Sequence, residues 1–244
     1  MHNLGQTRSA NGRDHLLLTP DTFVRTPLPG MRGGMAIVHV SPAAGATFTQ
    51  YTAELEPGGT LGPAAIQRFV YVLSGGVDLS TDSSFQSLAA SSYAYLPADL
   101  SHTLTAVGAT RLAVIEKPYQ PLAEVAAPGL FTGSEARVAP TALMGDPDLQ
   151  VRALLPDRLE FDFAVNTMTY QPGAALGMVE IHVMEHGLLM LEGGGIYRLG
   201  DAWYPVTAGD FIWMAPFCPQ WFGALGKQPA KYLIYKDWNR HPLG

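Results

Sequence analysis

Glu180-Ile181-His182-Val183-Met184-Glu185-His186-Gly187-Leu188-Leu189-Met190-Leu191-Glu192-Gly193-Gly194 is the stretch from which the fold of this chain is read. It follows a Pro172-Gly173 turn signal and runs into an apolar segment closed by glycines, the pattern of a strand between two turns. In a strand, side chains alternate with period two, so Glu180 and His182 share one face, with His186 in phase four residues later. Three ligand-type side chains then converge on the interior of a barrel or sandwich. Burying a carboxylate and two imidazoles without partners is costly, and a bound cation removes that cost. The E-x-H-x-x-x-H pattern is short, and its weight comes from its placement. A fourth candidate is Gln220, in Pro216-Phe217-Cys218-Pro219-Gln220-Trp221, where a later strand returns beside the first.

Working outward, the two halves of the chain echo each other at a period of roughly 115 to 119 residues. Leu55-Glu56-Pro57-Gly58-Gly59 parallels Tyr170-Gln171-Pro172-Gly173-Ala174, and Phe69-Val70-Tyr71-Val72-Leu73 parallels Gly187-Leu188-Leu189-Met190-Leu191. Tyr95-Leu96-Pro97 parallels Trp213-Met214-Ala215-Pro216, and Ile115-Glu116-Lys117 parallels Ile234-Tyr235-Lys236. The division expected is an N-terminal extension over 1–30, a first barrel over 31–122, a linker or crossing segment over 123–150, and a second barrel over 151–244. Where the second half carries Glu180, His182 and His186, the first has only Gly62, Ala64, Ala65, Gln67 and Arg68. The metal site is therefore expected in the second barrel alone.

Composition supports an all-β body. Among 244 residues there are 26 Gly and 19 Pro, a density of punctuation that suits short strands joined by turns. Alternation predicts a half-buried strand through Leu159, Phe161, Phe163 and Val165; Asp210 to Met214 and Tyr232 to Tyr235 read as strands by their aromatic and β-branched content. Only Pro121 to Ala126 hints at helix. The formal net charge of −6, with no basic block, argues against a nucleic-acid partner. The polar opening residues and the broken apolar stretch Ala164 to Val179 predict neither a signal peptide nor a membrane span. One cysteine, Cys218, allows no internal disulfide. A cytoplasmic protein with no membrane partner is the expectation.

The second half resembles the cupin motifs, from Gly173 through Glu180, His182 and His186 to Gly193, and from Gly209 to Gln220. The whole chain is similar to the (S)-ureidoglycine aminohydrolase family, two-cupin hydrolases of purine ring catabolism. The resemblance rests on the Glu180 to Gly200 stretch, Trp203-Tyr204-Pro205-Val206, Pro219-Gln220-Trp221, Tyr232-Leu233-Ile234-Tyr235-Lys236-Asp237, and the N-terminal Leu18-Thr19-Pro20-Asp21 and Pro27-Leu28-Pro29-Gly30. It implies two tandem cupin domains, a double-stranded β-helix or jelly roll each, and a manganese-dependent conversion of ureidoglycine to ureidoglycolate and ammonia. By the same resemblance Glu180, His182, His186 and Gln220 hold the metal, and Tyr197, Tyr232 and Lys236, with Gln220 beside them, contact a small anionic ureido substrate. The chemistry of such a site makes Glu180 and Lys236 the catalytic candidates, with Glu180 or a metal-bound water handling the proton moved during amine loss and Lys236 orienting the substrate. By strict count the second motif's histidine falls on Trp221.

The donor set makes chemical sense on its own, since two imidazoles, a carboxylate and an amide oxygen suit a six-coordinate Mn²⁺ or Fe²⁺ better than a structural zinc, which prefers thiolates. Two other readings keep the same residues: an iron-dependent dioxygenase, and a binding protein without catalysis. His2, His15, His39 and His241 read as surface or hydrogen-bonded residues. His102, in Pro97-Ala98-Asp99-Leu100-Ser101-His102, reads as structural because its half lacks the other ligands. Cys218 has no base nearby in sequence and reads as inert. Trp203, Trp213, Trp221 and Trp238 read as barrel wall. Strand edges and apolar surface predict a homo-oligomer.

Overall fold

The computed structural model describes residues 6–240; His2 and His241 lie outside the described residues. Twenty-one short strands and three single-turn 3-10 helices make up its regular structure, with no α-helix among the described residues. Pro121 to Ala126, the one hint of helix, holds only a turn, because Pro121 and Pro128 flank too short a run for a helical nucleus.

The chain forms two compact units, Val24–Val138 and a second built from Met1–Phe23 with Ala139–Gly244. In the first, antiparallel strands surround a core that includes Tyr51, Leu61, Val70, Val72, Leu79, Leu104 and Val114. In the second, an eight-stranded and a three-stranded sheet enclose Leu17, Tyr170, Leu188, Tyr197, Phe222, Tyr232 and Ile234. The central strands Phe163–Tyr170, Ala230–Asp237, His186–Glu192 and Phe211–Met214 lie side by side in one sheet.

The units cut the chain differently from the division expected above. The span assigned to an N-terminal extension is divided after Phe23, the residues from Val24 on joining the first unit and those before it the second: strand His15–Leu18 pairs with Phe211–Met214, matching Leu17 to Ile212, and buries Leu17 completely. That pairing covers a sheet edge that would otherwise expose a row of backbone donors and acceptors. Arg8 fixes the approach by gripping the buried Asp210 carboxylate at 2.6 and 2.9 Å. The segment expected as linker carries strands as well, Phe131–Ser134 on Ser92–Leu96 in the first unit and Thr141–Leu143 on Asp146–Ala153 in the second.

The strand predicted from Leu159 begins only at Phe163. Residues 159–162 form a turn in which Phe161 N donates to the Arg158 carbonyl, while Asn239 and Arg240 side chains take up the carbonyls of Arg158, Phe161 and Leu159. Leu159 is consequently 59% exposed and Asp162 is fully buried, the reverse of the alternation.

Candidate functional site

One cavity of the second unit is lined by Glu180, His182, His186, Tyr197, Gln220, Tyr232 and Lys236, together with Asn166, Met184 and several aliphatic side chains. All seven residues singled out from the sequence therefore meet at one place. They are brought there by strand pairing: His186 lies opposite Lys236 on one neighbour and Met214 on the other, while Tyr197 faces Phe222 across the three-stranded sheet.

Glu180 and His182 do not sit on a strand as expected. Residues 177–185 are irregular, with a single bridge in which Glu180 N donates to the Gln220 carbonyl at 2.8 Å and Gln220 N returns to the Glu180 carbonyl at 2.9 Å. His182 is fastened through its carbonyl, which accepts from Phe217 N at 2.8 Å. Phe217 itself holds a left-handed backbone, φ 64°, an unfavourable conformation for an aromatic residue that this turn requires. The ligand-type residues thus come from a loop, a strand start and a turn, and the loop leaves Ile181 61% exposed at the rim.

The two imidazoles meet edge to edge. His186 Nδ1 donates to the Tyr235 carbonyl at 3.3 Å, which leaves its Nε2 as an acceptor. His182 Nε2 accepts from the Gln220 amide nitrogen at 2.9 Å. The two Nε2 atoms face each other at 3.3 Å. Burial pushes His186 down to about 3, with His182 and Lys236 adding to the effect, and burial also lowers His182. Both rings are accordingly neutral near pH 7. Two neutral imidazoles with ring nitrogens this close suit a divalent cation, the form in which histidine ligates metal.

Glu180 stands further back. Among the described residues the only three His, Cys, Asp or Glu side chains whose ligand atoms all lie within 4.8 Å are Asp14, His15 and Cys218. There the donors are already engaged: His15 bonds Asp14 Oδ1 through Nδ1 and the Tyr204 hydroxyl through Nε2, both at 2.8 Å. Burial pushes the Cys218 thiol up to about 11, with Asp14 adding to it, which agrees with an inert thiol.

Below the imidazoles lies a tyrosine cluster. Tyr170 and Tyr232 hydroxyls are 2.7 Å apart, and the Tyr197 hydroxyl donates to Gln220 Oε1 at 3.3 Å. Burial raises all three phenols, so each remains a protonated donor. Across the cavity, burial lowers the Lys236 ammonium while Glu180 and Asp157 oppose the shift. Asn166 and Tyr170 were missed in the sequence because contacts between neighbouring strands, not spacing along one, place them. Trp238 is no barrel wall, for its ring lies 5.1 Å from Lys236 Nζ.

In the first unit the equivalent positions are filled differently. Arg68 lies opposite Glu116 and Leu96, as His186 lies opposite Lys236 and Met214. Its guanidinium donates to Glu116 Oε1 at 2.7 Å and to the Gly62 carbonyl at 2.6 Å, and reaches His102 Nε2 at 3.0 Å. His102 is thus structural, held by a resident cation instead of holding one.

A cupin domain model matches residues 166–235, the part of the second unit that contains most of the cavity. The chain is 45% identical over 98% of its length to a probable (S)-ureidoglycine aminohydrolase of Oryza sativa subsp. japonica, covering 78% of that protein. It is 44% identical, again over 98% of its length and 80% of the relative, to the (S)-ureidoglycine aminohydrolase of Arabidopsis thaliana. Among solved structures, protein Ylba from Escherichia coli superposes with a TM-score of 0.86 at 28% identity, covering 98% of this chain and 97% of that one. Oxalate decarboxylase of Bacillus subtilis, a protein with Mn(II) centres, superposes with a TM-score of 0.73 at 12% identity over 96% of this chain and 80% of its own. At that identity it speaks for the tandem cupin fold alone.

Proposed function

The chain belongs to the (S)-ureidoglycine aminohydrolase family, and on that premise we propose that it hydrolyses (S)-ureidoglycine to (S)-ureidoglycolate and ammonia in purine catabolism, as a cytoplasmic homo-oligomer loaded with Mn²⁺. The observation that carries the reading is the pair of neutral imidazole Nε2 atoms converging at 3.3 Å in a cavity that also holds an ammonium and a carboxylate. A binding site for a small anion and a site for a divalent metal are here one site.

His182, His186, Gln220 and Glu180 would hold the metal, the amide of Gln220 turning its oxygen inward. When bound, the ion would fix the substrate's polar groups and stabilise the negative charge that develops on them. Mn²⁺ is favoured by the mixture of imidazole with oxygen donors and by the absence of a thiolate facing the cavity. Lys236 would pair with the substrate carboxylate. The Tyr232 and Tyr197 hydroxyls, kept protonated by burial, would donate to the ureido carbonyl.

Hydrolysis exchanges an amino group for a hydroxyl at one carbon, so a proton must leave water and another must reach the departing nitrogen. Glu180 is the group of the cavity able to take the first and deliver the second. Met184, Met168 and Ile234 line the cavity and would limit the access of bulk water to the reacting carbon.

The test is ammonia release from freshly prepared (S)-ureidoglycine, corrected for spontaneous decay. Wild-type protein should release ammonia catalytically and His186→Ala should fall to the decay rate. Decay-rate behaviour of folded, metal-loaded wild type would overturn the proposal.

A further inference from the structure

We propose that Asn166 is a positioning residue for Lys236, and that the two form the seat that selects an anionic substrate. The inference rests on the reading above that Lys236 pairs with the substrate carboxylate. Lys236 ends in a flexible four-carbon stem, and an ammonium in such a cavity must be aimed to discriminate between ligands. Glu180 and, more weakly, Asp157 attract it.

Two contacts hold it. Asn166 stands on strand Phe163–Tyr170, diagonally beside Lys236, whose direct partner on that strand is Ala164. With the Asn166 amide oriented to satisfy both neighbours, its nitrogen donates to the Val165 carbonyl at 3.0 Å and its oxygen accepts from Lys236 Nζ at 3.2 Å. This side chain is only 7% exposed and lines the cavity itself. The Trp238 ring lies 5.1 Å from Nζ, and the Trp238 indole N–H donates to Asp157 Oδ1 at 2.7 Å.

The chemical identity of the clamp matters. Both groups touching Nζ are uncharged, so they fix the ammonium without neutralising it, and its positive charge stays available to a carboxylate. An aspartate at 166 would bond equally well in shape and cancel that charge. A neutral acceptor therefore tunes the seat for anions.

The experiment uses metal-loaded protein and two unreactive probes, N-carbamoylglycine, which carries the carboxylate, and its neutral amide. Isothermal calorimetry of Asn166→Ala should show N-carbamoylglycine binding weakened about tenfold, with the amide changed less than about twofold. Steady-state kinetics should show KM raised with kcat nearly constant. The isosteric Asn166→Asp, which preserves packing, should weaken the anion further. In a Lys236→Met background, Asn166→Ala should add nothing. Equal weakening of both probes, or an effect of Asn166→Ala that persists without Lys236, would overturn the positioning role. Unchanged anion binding by Lys236→Met would instead overturn the assignment of Lys236 itself.

Discussion

Replacing Arg68 by Met removes a charge from the interior of the first unit while keeping most of the side chain's volume. Arg68 is 3% exposed and donates to Glu116, to the Gly62 carbonyl and to His102. The methionine leaves the Glu116 carboxylate with only the Tyr51 hydroxyl, which donates to it at 2.9 Å. Stripping one partner from a buried ion pair costs about 3–5 kcal/mol, since the surviving charge remains desolvated. The loss should be read by urea unfolding followed by circular dichroism. Tryptophan emission is blind to it, because all four tryptophans lie beyond residue 200. The double variant Arg68→Met, Glu116→Gln should recover at least half of the deficit, since an amide still accepts from Tyr51 and carries no charge. A single-variant loss below about 1 kcal/mol, the range of exposed pairs, would refute the view that Arg68 is the resident cation of this barrel.

The remaining predictions concern acid stability and the second unit's site. Burial, with Arg111 adding, pushes the His39 imidazole down to about 3, against about 6.5 in an unfolded chain. Its contribution is complete above pH 6.5 and is lost at about 1.4 kcal/mol per pH unit as pH falls towards 3, where only the unfolded chain takes the proton. His39→Gln should flatten the acid limb of the unfolding-midpoint curve by one proton; an unchanged slope would contradict this. Tyr232→Phe should lower kcat/KM by about 10²-fold and, by leaving Tyr170 without its hydroxyl partner, cost about 1 kcal/mol of stability; wild-type kinetics would remove Tyr232 from the site. His182→Ala should lose stoichiometric Mn²⁺ binding by calorimetry, whereas His15→Ala should bind as wild type. Retained binding in the first, or lost binding in the second, would move the metal to the Asp14, His15, Cys218 cluster.

How far the sequence reaches can be seen residue by residue. The strands ending at Gly193 and containing Phe211 to Met214 and Tyr232 to Tyr235 were legible because burial on two faces imposes apolar runs between turns. Glu180, His182 and His186 were legible because burying a carboxylate and two imidazoles needs a shared partner, and Gln220 because a later strand returns beside them; Tyr197, Tyr232 and Lys236 came from the family resemblance alone. The loop carrying Glu180 and His182 was not, because bridge pairing to Gln220 and the left-handed turn at Phe217 replace the strand that alternation suggests. Nor was the place of His15–Leu18, four residues whose partner lies about two hundred positions away and whose local pattern names no sheet. The exchange of His186 for Arg68 and of Lys236 for Glu116 becomes visible only with the strand registers.

The central claim is that this site performs hydrolysis with a metal held by His182, His186, Gln220 and Glu180. Metal-stripped protein should be assayed for ammonia release from (S)-ureidoglycine as Mn²⁺ is added back, with dissolved oxygen followed in parallel. The account predicts activity that rises with Mn²⁺ and saturates at one ion per chain, without oxygen uptake. Full activity in the stripped protein, or turnover that needs Fe²⁺ and consumes oxygen, would contradict it.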